Sequence, residues 1–206
     1  MLFSYDVYCC LIIWIINIVF FISLLPQIAL NYKLKSAKGL SNFFILGSLV
    51  GQASYIGYAF YANLPFVYKI MNVLYCLLLL IIIFQRIYYS NKTTQIKLIR
   101  IYLGGFISLS LLLFAFSGNQ TIGCFLGWLP IGTGLIKKVP QIFKIHFQKS
   151  IKGFSLGFIC LNIFAYVFEM CAAIILKLPL QVILNDAKNI ILFSIFLIQF
   201  FIFEQV

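Results

Sequence analysis

Pro26-Gln27-Ile28-Ala29-Leu30-Asn31-Tyr32-Lys33-Leu34-Lys35-Ser36-Ala37-Lys38-Gly39-Leu40-Ser41 occurs twice in this chain, the second copy running from Pro140 to Ser155. Eight positions are identical at an offset of 114: Pro26/Pro140, Gln27/Gln141, Ile28/Ile142, Lys35/Lys149, Ser36/Ser150, Lys38/Lys152, Gly39/Gly153 and Ser41/Ser155. Without a gap the offset continues to Phe44/Phe158, Ala59/Ala173 and Leu64-Pro65/Leu178-Pro179. A fixed offset held over this length marks a duplicated structural unit. Shared apolar composition would match leucines and isoleucines. It does not match prolines, glutamines, serines and glycines.

Outward from the motif the chain is apolar. Of its 206 residues 64% are hydrophobic and only 9% charged, which excludes an ordinary soluble domain. Apolar runs long enough to cross a bilayer recur along the whole length. Seven spans are expected, near 7–30, 42–62, 66–88, 98–117, 120–143, 154–176 and 180–203. The predicted fold is therefore an all-α polytopic membrane protein, with two three-helix repeats joined by a connector helix (3+1+3). Its expected divisions are 1–88, 89–119 and 120–206. An odd connector lets both triplets enter the membrane in the same direction, as in transporters built from parallel repeats.

Basic residues set the orientation. Lys33, Lys35, Lys38, Arg86, Lys92, Lys97, Arg100, Lys144, Lys149 and Lys152 fall on one side, against Lys177 on the other. The positive-inside rule then puts the N-terminus outside and the C-terminus in the cytoplasm. The net charge of +11 reads as contact with anionic lipids at the basic loops. Nucleic acid is not an expected partner, because no soluble domain carries a basic face. The first span follows Asp6, exceeds a signal-peptide core and lacks a cleavage site, so it is expected to remain. The lack of a long tail with sorting signals favours a bacterial inner membrane over an organelle. The six cysteines lie in apolar segments without a C-x-x-C, and read as small hydrophobes. No metal site, cofactor or enzyme activity is expected, since no nucleophile–base pair, His/Cys cluster or phosphate-binding glycine loop stands out.

Inside a span, proline removes a backbone hydrogen bond and crowds the preceding turn. Pro26 and Pro140 are thus expected to act as hinges. Gln27 and Gln141 are expected to satisfy the freed backbone groups, which lipid cannot. These residues, with the Lys-Ser-x-Lys-Gly-x-Ser that follows, closely resemble the PQ-loop family. That family includes cystinosin-like transporters, SWEET and SemiSWEET sugar transporters, and the KDEL-receptor cousins. The resemblance covers essentially the whole chain and implies the three-one-three arrangement. It does not name the solute.

The resemblance also implies site positions. Where sugar-carrying relatives place a tryptophan about nineteen residues past the motif serine, this chain has Tyr55 and Glu169. Where they place an asparagine after the proline opening each third helix, it has Asn72 and Asp186, with Asn185 and Asn189 adjacent. A proton-coupling aspartate of cystinosin-like members is replaced here by Ser48 and Asn162. Helical spacing reaches the same places independently. Asn162 and Glu169 share a face with Tyr166, and Ser48, Gln52 and Tyr55 form its counterpart.

A carboxylate near mid-span, as at Glu169, is a functional candidate by default, with a structural ion pair as the plain alternative. Asp186, nearer the outer end, is open between a site role and solvation or pairing with Lys188. Asn72 and Asn162 could equally be interhelical glue. Lys137 and Lys138 lie about 10 Å from the cytoplasmic end by helical rise. They are expected to snorkel out rather than face Glu169 or a solute. Lys69 reads as interfacial, and His146 as a solvated loop residue. The functional expectation is an alternating-access transporter of a small polar solute bearing an amino group, such as an amino acid. Glu169 and Asp186 are its candidate proton carriers, and Tyr55, Asn72, Asn162, Tyr166 and Asn189 its further solute contacts. A facilitative sugar transporter and a non-transporting sorting receptor or scaffold are the alternatives. Oligomeric state is not legible.

Overall fold

The computed structural model describes the backbone of residues 2–99, 101–103 and 120–203, and the side chains of 11–99, 101–103 and 123–203. Seven helices lie within the described residues: α1 (Leu2–Ser23), α2 (Leu25–Lys33), α3 (Asn42–Tyr61), α4 (Phe66–Tyr88), α5 (Gln120–Gln148), α6 (Leu156–Ile175) and α7 (Leu180–Phe203). Residues 92–99 and 101–103 are also helical. The rest of the connector span expected over 98–117 lies outside the described residues.

Among the described residues five segments are long and apolar enough to cross a membrane, Leu11–Lys33 and the helices α3, α4, α6 and α7. Large apolar side chains such as Phe43, Phe84, Ile136 and Ile191 stand exposed around the bundle, as a lipid-facing surface requires. The chain is an integral multi-pass membrane protein.

The offset of 114 governs local geometry as well as sequence. Lys35 and Lys149 are both left-handed at φ 45°, and Asn63 and Lys177 at φ 48° and 51°. α3 starts where the Ser41 hydroxyl accepts the Phe44 N–H at 3.0 Å; α6 starts where Ser155 accepts from Phe158 at 3.4 Å. Both end alike, with Leu64 N–H on Ala59 O at 3.0 Å and Leu178 N–H on Ala173 O at 2.9 Å. Pro65 and Pro179 then open α4 and α7, where a missing N–H costs nothing.

Within each repeat the third helix packs between the other two, α4 against α1 and α3, and α7 against α5 and α6. Between repeats the contacts cross: α3 packs against α5, and α1 against α6. The prolines differ in effect. At Pro26 the helix is interrupted, Leu24 separating α1 from α2, whereas Pro140 and Pro130 both sit inside an unbroken α5. That helix runs to Gln148, so His146 is an exposed residue of its last turn, not of a loop.

Candidate functional site

The duplicated glutamines form a reciprocal clamp. Gln27 Oε1 accepts the Ser155 N–H at 2.8 Å, and its Nε2 donates to Gly153 O at 2.9 Å. Gln141 Oε1 accepts the Ser41 N–H at 2.8 Å, and its Nε2 donates to Gly39 O at 2.9 Å. Each repeat thus grips the Lys-Gly-x-Ser backbone of the other, through side chains that are 0% exposed. The expectation that they satisfy carbonyls freed by their own prolines is corrected accordingly. A cap must satisfy the backbone of a tight loop buried at the seam, and the amide carries both donor and acceptor. Between the clamps Gly39 and Gly153 meet backbone to backbone, leaving no room for a Cβ on Gly39. Phe44, Phe154 and Phe158 pack edge to face above this contact, with centroids 5.7–6.3 Å apart. On the basic-loop side the bundle is closed.

Sequence reasoning overlooked a second pair. Gln85 Nε2 donates to Ile28 O, and Gln199 Nε2 to Ile142 O, both at 3.1 Å. These glutamines are also 114 apart, so the offset, carried past Pro179, would have found them. Each ties the third helix of its repeat to the first, just beyond the motif proline. Asn31, bonded to both Gln27 and Gln85, extends the network in the first repeat.

Above the closed floor a cavity of about 80 Å³ lies where the triplets meet. Of the expected site residues, Tyr55, Asn72, Tyr166, Glu169 and Asn189 line it, joined by Gln52, Tyr68 and Lys137. Asn162 and Asp186 do not. Asn162 is buried and donates to Phe158 O one turn back at 2.8 Å, as Ser48 does to Phe44 O at 2.7 Å. Asp186 is 1% exposed and stands beside Glu169, which overturns its solvated reading. Lys188 donates instead to Asn185 Oδ1 and to the Pro130 and Ile131 carbonyls.

The two halves of the cavity are chemically unlike. Tyr55 and Asn72 occupy the positions equivalent to Glu169 and Asp186. In the first repeat Asn72 bonds Gln52 and the Tyr68 carbonyl, a neutral and self-satisfied pair. In the second, Glu169 faces Asp186 and the Tyr68 hydroxyl. Tyr68 Oη and Asp186 Oδ2 are buried without a hydrogen-bond partner within the protein. Two adjacent carboxylates in a medium of low dielectric cannot both stay charged without a proton or cation between them.

The expectation that Lys137 and Lys138 snorkel is also overturned. Lys137 lines the cavity, donates to Ser48 Oγ at 3.2 Å and lies 5.8 Å from the Phe44 ring. Lys138 is 1% exposed, donates to Asn189 Oδ1 at 2.7 Å and sits 3.8 Å from the Phe193 centroid. Lys69, by contrast, is held at the far end over Phe60 and against Asn63. Beyond the cavity on that side, Tyr58 and Tyr61 lie against Gly127 and Gly123, and Tyr58 reaches Gln181 at 3.4 Å.

Two interlocked three-helix repeats, clamped at a shared Pro-Gln motif around a central polar cavity, define the class of protein. A model of the family described as "PQ loop repeat" matches residues 8–68 and 122–182, and the chain belongs to that family. A search of curated proteins finds no match. Among solved structures the fold is similar to "The 3.7 A resolution structure of a eukaryotic SWEET transporter", with a TM-score of 0.71 at 16% identity. That likeness covers 98% of this chain and 100% of the other.

Proposed function

We propose that this protein is a membrane transporter of a small zwitterionic solute, an amino acid or closely related amino compound. It works by alternating access about the cavity between the triplets. The observation that carries this reading is the polarity of that cavity. An acidic wall of Glu169 backed by Asp186 and Tyr68 belongs to the same chamber as the ammonium of Lys137. An α-amino group suits the first and a carboxylate the second, since both gain most where water is scarce. Glu169 and Asp186 would hold one proton between them in the empty site and lose it as a solute ammonium arrives, which supplies the coupling. Pro26 would hinge the first triplet, with Gln27 and Gln141 holding the floor and Pro140 stiffening rather than bending its helix. The N-terminus would face out and the basic loops the cytoplasm, in a bacterial inner membrane.

The second reading is a facilitative sugar carrier, supported by the neutral half of the cavity, where Tyr55, Gln52 and Asn72 offer stacking and hydrogen bonds. Flux into proteoliposomes separates the two, run with amino acids and sugars at acidic and neutral pH beside Glu169→Gln. Amino-acid uptake that depends on pH and is lost in the variant is expected. Sugar uptake that the variant retains would move the assignment to the second reading. Binding of a peptide without flux would indicate a sorting receptor.

A further inference from the structure

The duplicated motif contains two matched lysine pairs with exposed side chains, Lys35/Lys149 and Lys38/Lys152, and the second of them lines a cleft. Ser41 and Ser155 cap helices, Gly39 and Gly153 make the close contact, and the glutamines clamp, but the ammonium groups of Lys38 and Lys152 are exposed. They flank a cleft of about 420 Å³ on the basic face, lined also by Ser36, Ser150 and Lys144. The floor of this cleft is the Gly39–Gly153 contact itself, so it straddles the seam between the two repeats.

We propose that this cleft is a phosphate-binding site, taking a phosphate group either from an anionic lipid headgroup or from a free phosphate or pyrophosphate. Three observations support it. First, positive charge is gathered here, and among the described residues no acidic side chain lies in these loops. Lys33, Lys35, Lys38, Arg86, Lys144, Lys149 and Lys152 lie in or next to these loops, while the acidic residues of the chain are Asp6, Glu169, Asp186 and Glu204. Second, the hydroxyls are free to donate. Ser36 Oγ accepts the Lys38 N–H and Ser150 Oγ the Lys152 N–H, at 3.3 and 3.4 Å, which leaves each hydroxyl hydrogen for an outside acceptor. Third, Lys144 is fixed in place. Its ammonium donates to Lys38 O at 2.8 Å and Gly39 O at 3.2 Å, leaving one N–H of three free. Three ammonium groups and two hydroxyls converging on one cleft match the oxygens of a phosphate.

Because Ser36 and Lys38 come from one repeat and Lys144, Ser150 and Lys152 from the other, the complete site exists only while the two loops touch. A bound phosphate therefore favours the form closed on this face and slows opening there. The site is independent of the solute cavity, so neither the identity of the solute nor transport itself enters the test.

Binding of inorganic pyrophosphate is measured by thermal shift in phospholipid-free detergent, against sodium chloride of matched ionic strength. A parallel set of melts compares vesicles of phosphatidylglycerol with vesicles of phosphatidylcholine. The parent is expected to be stabilised by pyrophosphate, by phosphatidylglycerol, or by both, and the responding arm identifies the source. In Lys38→Gln/Lys152→Gln the affinity is expected to weaken about tenfold or more per charge removed. These exposed side chains leave the fold intact, and Lys38→Arg/Lys152→Arg is expected to restore binding. Stabilisation equalled by sodium chloride, retained in the glutamine variant, or absent in both arms overturns the proposal.

Discussion

Replacing Gln27 by alanine removes the clamp from one side of the seam. The Ser155 N–H and Gly153 C=O would lose partners at 2.8 and 2.9 Å, and Asn31 Oδ1 a further one at 2.9 Å. Gln27 is 0% exposed, so water does not readily replace it. A buried polar group left unpaired costs about 1–3 kcal/mol. Two such backbone groups put the loss between about 2 and 6 kcal/mol. For a chain of this size each kcal/mol is about 2–4 °C in Tm, so a fall of roughly 10 °C is expected. The assay is a thermal melt of purified protein followed by size-exclusion fluorescence, with Gln148→Ala as the control. Gln148 is exposed, and its loss should be nearly silent. Because Gln27 and Gln141 close one interface, the double alanine variant should cost less than the sum of the singles. A Gln27→Ala melt within the error of the parent, or strict additivity of the pair, would refute the argument that these bonds hold the seam.

Gly39→Ala should be more damaging than Gly153→Ala. A Cβ on Gly39 would clash outright with the Gly153 backbone, while one on Gly153 would meet the Gly39 backbone at 3.0 and 3.2 Å, a milder crowding added to the strain of its φ of 86°, about 1–2 kcal/mol; a milder melt for Gly39→Ala would show that the loops do not touch. Glu169→Gln should fold normally, flatten the pH dependence of uptake and weaken an amine-bearing solute about tenfold or more, by loss of one charged hydrogen bond. Unchanged uptake at both pH values would remove Glu169 from the coupling role. Lys137→Met should keep the volume of the side chain and weaken binding of an amino acid while sparing its decarboxylated amine; equal loss for both would argue against a carboxylate at Lys137.

The duplication was legible because it is written in residues that apolar composition cannot match by chance. Ser41/Ser155 and Leu64-Pro65/Leu178-Pro179 fixed helix boundaries in both halves, and the turns at Asn63 and Lys177 followed. The clamp was not legible, although Gln27 and Gln141 stood out. An offset says which residues are equivalent, but not that a glutamine grips the opposite repeat. Helical rise gave the depth of Lys137 and Lys138 but not the direction of their side chains. A lysine can reach out to water or in to Ser48 and Asn189 from the same Cα. Asp186 was placed in the right neighbourhood by its equivalence to Asn72. Its position behind Glu169, not beside the cavity, depends on how α6 meets α7, which one-dimensional spacing does not encode.

The interruption at Leu24 has a mechanical consequence. Below it α2 is a short foot, pinned through Gln27 and Asn31 to Gly153 and Gln85. Above it α1 is a lever of 22 residues, about 33 Å long at helical rise. A tilt of about ten degrees at the pivot would sweep its far end through roughly 6 Å on that length. Asn17, Phe20 and Phe21, which line the cavity close to the pivot, would travel far less. In the other repeat α5 has no such joint and can only tilt as a whole rod. Displacement at the far mouth would then come mainly from the first triplet, and a disulfide or bulky label near the start of α1 would stall it most.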